Sequence, residues 1–159
     1  MYFAQYDSPL GKLLLSCTED ALTGIWMDRM LPQPAATHPL LEEAAVWLDD
    51  YFQGKNPTIS LPLAPEGTVF QKCIWDILLT IPYGSTCTYG DVAAEAARRL
   101  GKARMSAQAA GGAIGRNPIS ILIPCHRVVG ANGSLTGYGG GLERKLWLLH
   151  HEGLTQFHL

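Results

Sequence analysis

Two short helices are predicted by residues 88–115, which read TYGDVAAEAARRLGKARMSAQAAGGAIG. Thr88 is a suitable N-cap for a helix that stops near Gly101, and Ser106 is a suitable N-cap for a second helix that runs towards Gly115. Two short helices in close succession, the second built mainly from alanine and glycine, are typical of a helix-turn-helix. The small side chains suit close approach to the wall of a nucleic-acid groove, and they equally suit tight packing against another helix.

A cysteine and a histidine follow at the end of an apolar run. Residues 119–123 are apolar and rich in β-branched side chains, which predicts a buried strand that ends at Pro124. Cys125 and His126 come next, and Arg127 adds a second polar neighbour. A thiol is a useful nucleophile only as the thiolate, and a cationic or hydrogen-bonding neighbourhood lowers its pKa. The pair is a candidate nucleophile and base, while a buried structural cysteine also fits these residues taken alone.

The rest of the chain divides at a proline-rich segment, residues 62–67. Before this segment, strands are predicted at residues 2–6, 12–16 and 22–27, and a helix between Pro39 and Gly54. After it, one helix follows Thr68 and the last one starts at Leu142, with Leu142, Leu146 and Leu149 on one side. The sequence therefore predicts an α+β protein, with a scaffold domain at residues 1–63 and a helical domain at residues 64–159.

The two predicted domains differ in charge. Residues 1–63 hold three basic and eight acidic residues, a balance of −5, whereas residues 64–159 hold nine basic and six acidic residues, a balance of +3. Residues 96–142 contain no carboxylate, and their basic residues are Arg98, Arg99, Lys102, Arg104, Arg116 and Arg127. A basic, acid-free stretch favours a polyanionic partner such as nucleic acid, with a solvated surface as the alternative.

Composition indicates a globular protein of a reducing compartment. Hydrophobic residues make up 47% of the chain and charged residues 16%, without a basic-apolar leader or an apolar run of transmembrane length. The four cysteines are far apart and form no CxxC pair, which argues against a disulfide framework. We expect a cytoplasmic location and no metal, because Cys17 and His38 are the only obvious ligands of the N-terminal part.

Glu152 breaks a local rule. It is predicted in the last turn of the final helix, where a carboxylate opposes the helix macrodipole at a cost of about 0.3–1 kcal/mol. Such a departure without local compensation often has a functional reason. If Glu152 faces His126, the carboxylate fixes the imidazole tautomer and favours the imidazolium. A frayed, exposed helix end is the alternative.

Several motifs together resemble one protein family. They are RNP at residues 116–118, IPCHRV at residues 123–128 and GYGGGL at residues 137–142. In these motifs the chain is similar to the O6-alkylguanine-DNA alkyltransferases, the methylated-DNA–protein-cysteine methyltransferases of direct-reversal repair. The similarity is strongest over residues 70–153. It implies a ribonuclease-H-like N-terminal domain, followed by a winged-helix or helix-turn-helix-like DNA-binding domain that carries the active site.

The resemblance also implies a single-turnover reaction. The family flips an alkylated guanine out of duplex DNA and transfers the O6-alkyl group irreversibly to a cysteine, which matches Cys125 here. Flipping is needed on general grounds, because O6 lies inside the base stack. O4-methylthymine is a second candidate substrate. No cofactor is implied, the partner is double-stranded DNA containing O6-alkylguanine, and family members usually act as monomers.

Residue roles follow from matching positions in the family. His126 is the water-linked base, Glu152 orients it, Asn117 holds the turn before the active-site segment, and Tyr89 donates a proton towards guanine N3. The expected substrate-binding residues are Tyr138, which stacks on the base, and Val128, Gly139, Ser120 and Gly111. The expected DNA-binding residues are Ser106, Ala107, Gln108, Ala109, Arg116 and Arg127.

The recognition helix departs from the family pattern at one position. The family commonly has Arg-Ala-Val-Gly there, and its arginine fills the space that the flipped base leaves. Residues 108–111 read QAAG instead. Gln108 is expected to hydrogen-bond to the orphaned cytosine but to hold DNA less tightly, because it carries no charge. Arg98, Arg99, Lys102 and Arg104 are candidates for compensating phosphate contacts.

Three other functions fit parts of the pattern. A lesion-binding protein without transfer activity is disfavoured because relatives of that kind replace the motif cysteine, usually with tryptophan. A cysteine hydrolase that uses Cys125, His126 and Glu152 is disfavoured because adjacent residues of a strand point to opposite sides. A transcription regulator that reads an alkylated cysteine needs a further domain, for which the 159 residues leave no room.

Overall fold

The computed structural model describes all residues, Met1–Leu159, and they separate into two compact units. The first unit contains Met1–Glu66 and Pro118–Ser120, and the second contains Gly67–Asn117 and Ile121–Leu159. None of the helices combines the length and hydrophobicity that crossing a lipid bilayer requires. The α+β class expected from the sequence is confirmed, with a small sheet in the first unit and a mainly helical second unit.

The first unit is built on a three-stranded antiparallel sheet. Strands β1 (Tyr2–Ser8), β2 (Gly11–Cys17) and β3 (Leu22–Met27) lie in that order, and helix α1 (Pro39–Phe52) packs against them. The His38 side chain caps α1 by accepting from the Leu40 amide at 3.1 Å. At the β3 edge of the sheet, Ile25 forms a parallel bridge with Ile119. This bridge explains why residues 118–120 belong to the first unit.

The second unit contains a three-helix cluster. Helices α2 (Val69–Leu78), α3 (Tyr89–Arg99) and α4 (Ala107–Gly115) pack against one another. Thr68 and Thr88 form capping boxes with the third helical residue, and Ser106 Oγ accepts from the Ala109 amide at 3.0 Å. Buried Trp75 of α2 donates from Nε1 to the Ala113 carbonyl at 2.9 Å, which fixes α4 on the cluster.

A short parallel pairing brings two distant parts of the second unit together. Strand β4 (Cys87–Thr88) pairs with strand β5 (Val128–Val129). Tyr89, the first residue of α3, directly follows β4, and the turn Cys125–Arg127 directly precedes β5. The pairing therefore places the N-terminus of α3 beside the segment that carries the candidate nucleophile.

The predicted strand at residues 119–123 is wrong. Ile119 makes a single bridge, the chain then turns, and Cys125–Arg127 form one turn of 3₁₀ helix. Ile121 has a φ of 73°, which is unusual for a β-branched residue and incompatible with a strand. The apolar run is deeply buried, as the sequence indicated, but burial alone does not distinguish a strand from a buried turn.

The apolar side predicted for the last helix is buried only in part, since Leu149 is buried and Leu146 packs against it. In α5 (Leu142–His151), Leu142 is 38% exposed. The buried positions at helical spacing are Lys145, Leu148, Leu149 and, at the C-cap, Glu152. The face towards the interior of the unit thus carries two charged residues that a purely apolar pattern overlooks.

Candidate active site

Cys125 is a free, largely buried thiol on the 3₁₀ turn. Cys125 as a whole residue is only 8% exposed to solvent. Asn117 holds the preceding segment, because its Nδ2 donates to the Ile123 carbonyl at 2.8 Å. Burial raises the pKa of Cys125, while the Asn117 side-chain hydrogen bond and the charge of Lys145 oppose that rise. The resting thiol is therefore protonated at neutral pH and needs a base to react.

His126 and Glu152 form a buried hydrogen-bonded pair. Nε2 of His126 lies 2.6 Å from Oε2 of Glu152, and both side chains are fully buried. Burial lowers the pKa of His126, with Glu152 opposing the change, so the imidazole is neutral at pH 7. A neutral ring donates its Nε2–H to the carboxylate and keeps a lone pair on Nδ1. This Nδ1 is buried and has no hydrogen-bond partner in the protein, so it is available to accept a proton.

Arg127 neutralises the buried Glu152 carboxylate. Its Nε donates to Oε1 at 2.8 Å and its Nη2 to Oε2 at 3.2 Å, while the Gly84 amide donates to Oε1 at 3.0 Å. The remaining guanidinium nitrogen donates to the Ile81 carbonyl at 2.7 Å. These contacts offset both the desolvation of the carboxylate and its position at a helix C-terminus. This guanidinium is buried and engaged inside the unit, so the expected DNA contact of Arg127 stays a prediction that these interactions disfavour.

Lys145 is a second buried cation, which the sequence analysis missed. Its Nζ donates to the Thr136 carbonyl at 3.0 Å and to Tyr89 Oη at 3.3 Å, and Tyr89 Oη in turn donates to the Thr136 carbonyl at 2.7 Å. Burial lowers the pKa of Lys145 to about 8, with Cys125 opposing the change. The helical spacing from Lys145 to Leu148, Leu149 and Glu152 was the available signal, since it places the lysine on the buried face.

The residues expected to bind the substrate lie in different surroundings. Burial, reinforced by the nearby Cys125, raises the pKa of Tyr138 well above its usual value, and its buried hydroxyl has no hydrogen-bond partner. Gly111 faces Tyr89, because a Cβ on this glycine would lie 3.6 Å from the tyrosine ring. Val128 is fully buried, and its amide donates to the Cys125 carbonyl. Ser120 lies in the first unit, where its amide donates to the Ile25 carbonyl at 3.1 Å.

Gly139 is the remaining expected substrate contact and lies beside the end of α4. A Cβ on Gly139 would approach the Gly115 carbonyl oxygen to 3.7 Å, an ordinary contact distance. The glycine is exposed and follows Tyr138 in the loop before α5. No group of three or more histidine, cysteine, aspartate or glutamate side chains is arranged to hold a metal ion.

The expected DNA-binding residues around α4 are solvent-accessible. The exposed members of this set are Ser106, Ala107, Gln108, Ala109 and Arg116. Two of the arginines proposed for phosphate contacts, Arg98 and Arg99, pair with Glu95 on the same helix, and these pairs lower the pKa of Glu95 to about 2. The carboxylate offsets part of their positive charge, whereas Lys102 and Arg104 are exposed without such a partner.

Two family models match nearly the whole chain. Residues 1–65 match 6-O-methylguanine DNA methyltransferase, ribonuclease-like domain, and residues 69–154 match 6-O-methylguanine DNA methyltransferase, DNA binding domain. The methylated-DNA–protein-cysteine methyltransferase of Methanosarcina acetivorans is 42% identical, over 96% of this chain and 99% of the relative. The enzyme of the same name from Mycobacterium leprae is 44% identical, over 96% and 94%.

Solved structures give the same answer. A crystal structure of Mycobacterium tuberculosis O6-methylguanine methyltransferase superposes with a TM-score of 0.80 and 40% identity, covering 95% of this chain and 92% of that one. A structure of Mycobacterium tuberculosis OGT in complex with DNA gives a TM-score of 0.78 and 42% identity, covering 96% and 92%. By both domains and by full-length similarity, this chain belongs to the 6-O-methylguanine DNA methyltransferase family.

Proposed function

We propose that this protein repairs DNA by direct reversal, moving the O6-alkyl group of a flipped-out guanine in duplex DNA onto Cys125, once per molecule. The observation that carries the proposal is the surroundings of the Cys125 thiol. It is buried, hydrogen-bonded by Asn117 and adjacent to a neutral histidine that Glu152 and Arg127 hold in place. The enzyme is a methylated-DNA–protein-cysteine S-methyltransferase, and DNA is its partner.

The first step is removal of the thiol proton. Nδ1 of His126 takes this proton, directly or through a bridging water, because Nε2 already donates to Glu152. The imidazolium that forms is stabilised by the Glu152 carboxylate, whose own charge Arg127 balances. The proton therefore moves into a prepared buried site at the moment when the thiolate is needed.

The second step is alkyl transfer with loss of guanine. The thiolate sulfur forms a bond to the alkyl carbon, the carbon–O6 bond breaks, and its electron pair moves into the purine ring. The resulting guanine anion is a poor leaving group unless it is protonated, and Tyr89 supplies a proton at N3. Tyr138 stacks on the flipped base, and the carbonyls of Cys125 and Val128 accept from its amino group, which favours guanine. O4-methylthymine is a secondary substrate because it offers a comparable alkyl–oxygen bond.

Helix α4 is the DNA-contacting element in this proposal. Its exposed surface carries alanine, glycine and Gln108, so the helix backbone can approach a groove closely. Gln108 enters the stack where the damaged base leaves, and Arg116, Lys102 and Arg104 contact phosphates. This arrangement is supported by the exposure of all four side chains.

The protein acts as a monomer in the cytoplasm in this proposal. Cys125, His126, Glu152, Tyr89 and Lys145 all come from the second unit of one chain, so no partner subunit is needed to complete the site. The four cysteines are free thiols, as a reducing compartment maintains them.

Intact-mass spectrometry tests the proposal. The protein is mixed with excess duplex DNA that contains one O6-methylguanine. We expect every molecule to gain the mass of one methylene, mapped to Cys125, and the gain to stop at one equivalent. Cys125→Ser is expected to gain nothing, while the matched variant Cys87→Ser reacts like the wild type. The Cys87 thiol, whose pKa burial raises to about 11, is a poor nucleophile.

Two outcomes contradict the proposal. An unchanged mass together with tight lesion binding identifies a recognition protein that transfers nothing. Repeated release of product beyond one equivalent identifies a turnover enzyme of the hydrolase kind. A hydrolase was disfavoured because adjacent residues of a strand point to opposite sides, but Cys125 and His126 lie on a 3₁₀ turn. Turnover is therefore needed to distinguish a hydrolase from a single-turnover transferase.

A further inference from the structure

An apolar cavity of about 460 Å³ lies beside helix α4. Its walls come from the starts of α2 and α4 and from the connection between α3 and α4. The residues that line it are Val69, Phe70, Leu100, Lys102, Met105 and Ala109. All of them belong to the second unit, and one of them is charged. The cavity is separate from the surroundings of the Cys125 thiol, since none of its lining residues contributes to those surroundings.

Three helix ends hold the walls of the cavity in place. The capping box of Thr68 fixes the start of α2, and Ser106 caps the start of α4. Helix α3 ends in a Schellman motif, in which the Lys102 amide donates to the Ala97 carbonyl at 2.8 Å and Gly101 has a φ of 66°. The cavity is therefore formed before any ligand arrives, as binding sites usually are.

Apolar side chains of the cavity remain in contact with water. Val69 is 79% exposed, and Phe70, Leu100 and Met105 are half-buried. The cavity is thus open to solvent, and a group of apolar side chains that stays exposed marks a binding surface. The aromatic ring of Phe70 and the thioether of Met105 suit the flat face of a nucleobase.

The charges around the cavity favour a nucleotide over an apolar protein segment. Lys102 lines the cavity, and Arg104 is exposed two residues further along the chain. Neither cation takes part in an ion pair, and residues 96–142 contain no carboxylate. A nucleotide presents an aromatic face next to a phosphate, which matches an apolar surface with unpaired cations at its edge.

The cavity lies next to the residue that enters the base stack in the proposed function. Ala109 lines the cavity and directly follows Gln108 on α4. The glutamine amide has a smaller face than the guanine it replaces. The cytosine opposite the lesion therefore loses its pairing partner and also part of its stacking.

From this arrangement we infer that the cavity is a second base-binding site, which receives the orphaned cytosine turned out of the complementary strand. The inference rests on the proposed function and adds a site for the undamaged strand. The base stacks on Phe70 and Met105, and Lys102 binds a neighbouring phosphate. The hydrogen-bonding edge of the cytosine stays in water, because the cavity is open, so no polar group of the base is left unsatisfied. The cytosine is held by the cavity rather than by a hydrogen bond to Gln108.

The experiment measures the coupling between the cavity and the orphaned base. Fluorescence anisotropy gives the affinity of the Cys125→Ser protein, which accepts no methyl group, for two duplexes that contain O6-methylguanine. One duplex has cytosine opposite the lesion and the other has an abasic site. Phe70→Ala removes the stacking surface, and Ala109→Leu fills the cavity, both in the Cys125→Ser background. Val46→Ala, at an exposed valine of α1, is the matched control. Circular dichroism checks folding, and Ala109→Leu carries the test if Phe70→Ala does not fold.

We expect each cavity variant to lose on the order of 10-fold in affinity for the cytosine duplex and less than about 2-fold for the abasic duplex. An abasic site also makes flipping of the damaged base easier, but this effect cancels because parent and variant bind the same pair of duplexes. Equal losses on the two duplexes, or no loss on the cytosine duplex, would overturn the second base-binding site.

Methyl transfer by the wild type separates this inference from the proposed function. Intact mass is recorded after the wild type is mixed with the cytosine duplex. Transfer to Cys125 without coupling between cavity and base overturns the second base-binding site alone. An unchanged mass overturns the proposed function, and the inference that rests on it.

Discussion

The buried ammonium of Lys145 gives a prediction about stability with a definite sign. Burial lowers its pKa from 10.5 to about 8. Because each pH unit corresponds to about 1.4 kcal/mol, the charged form destabilises the native state by on the order of 3 kcal/mol. Lys145→Met removes this destabilisation of the native state. It also removes two hydrogen bonds, to Thr136 and Tyr89, worth roughly 1 kcal/mol each. At neutral pH we therefore expect the variant to be more stable than the wild type by roughly 1 kcal/mol.

The advantage of the variant is expected to reverse at alkaline pH. Below about pH 8 both the native and the unfolded wild type bind the lysine proton, so the whole penalty is present. Between about pH 8 and 10.5 the unfolded chain keeps the proton and the native state does not, so the unfolding free energy of the wild type rises with pH. The difference between the two proteins should shift by on the order of 3 kcal/mol across that range.

Urea unfolding followed by tryptophan fluorescence at several pH values measures this shift. Both proteins should carry Cys125→Ser, because a thiolate near Lys145 would otherwise contribute to the change. Lys12→Met, at an exposed lysine, is the control and should give a flat difference. A difference between Lys145→Met and wild type that varies by less than about 0.5 kcal/mol from neutral to alkaline pH would refute the burial of an unpaired ammonium.

Two further predictions concern the other charged groups. Arg127→Met is expected to lose about 3–5 kcal/mol of unfolding free energy, because Glu152 would remain buried without its cation; a loss under about 1 kcal/mol in urea unfolding would contradict this. Gln108→Arg is expected to bind duplex DNA more tightly and to steepen the slope of log affinity against log salt by about one. Fluorescence anisotropy at several salt concentrations measures that slope, and an unchanged slope would place position 108 outside the DNA interface.

Local signals in the sequence predicted most of the secondary structure. Thr68, Thr88 and Ser106 cap the helices that follow them, because a side-chain oxygen meets an amide only a few residues away. The α+β class followed from these capping signals together with the three strands predicted near the N-terminus. These features depend on neighbours in the chain, so they are readable without the tertiary structure.

The hydrophobic periodicity of the sequence predicted the wrong local structure where residues are buried by contacts with distant parts of the chain. Residues 119–123 are apolar because they are buried, but Ile119 pairs with Ile25 and Ile121 turns the chain at a positive φ. Lys145 on α5 was missed for a related reason, since Leu142 is exposed while Lys145 occupies a buried position. Apolar residues therefore do not mark every buried position, because a polar side chain is also buried where it has a functional partner.

The sequence by itself determined the family, the adjacent Cys125 and His126, and the carboxylate at position 152, because these are fixed by motif and order. Only the tertiary structure decided which charges meet. Arg127 and Glu152 are 25 residues apart in the chain, and Lys145 and Tyr89 are 56 apart. Each pair depends on where the β4–β5 pairing and the packing of α5 bring the backbone. A buried charge is tolerated only where it has a partner or a function. Folding brings that partner into contact from a distant part of the chain.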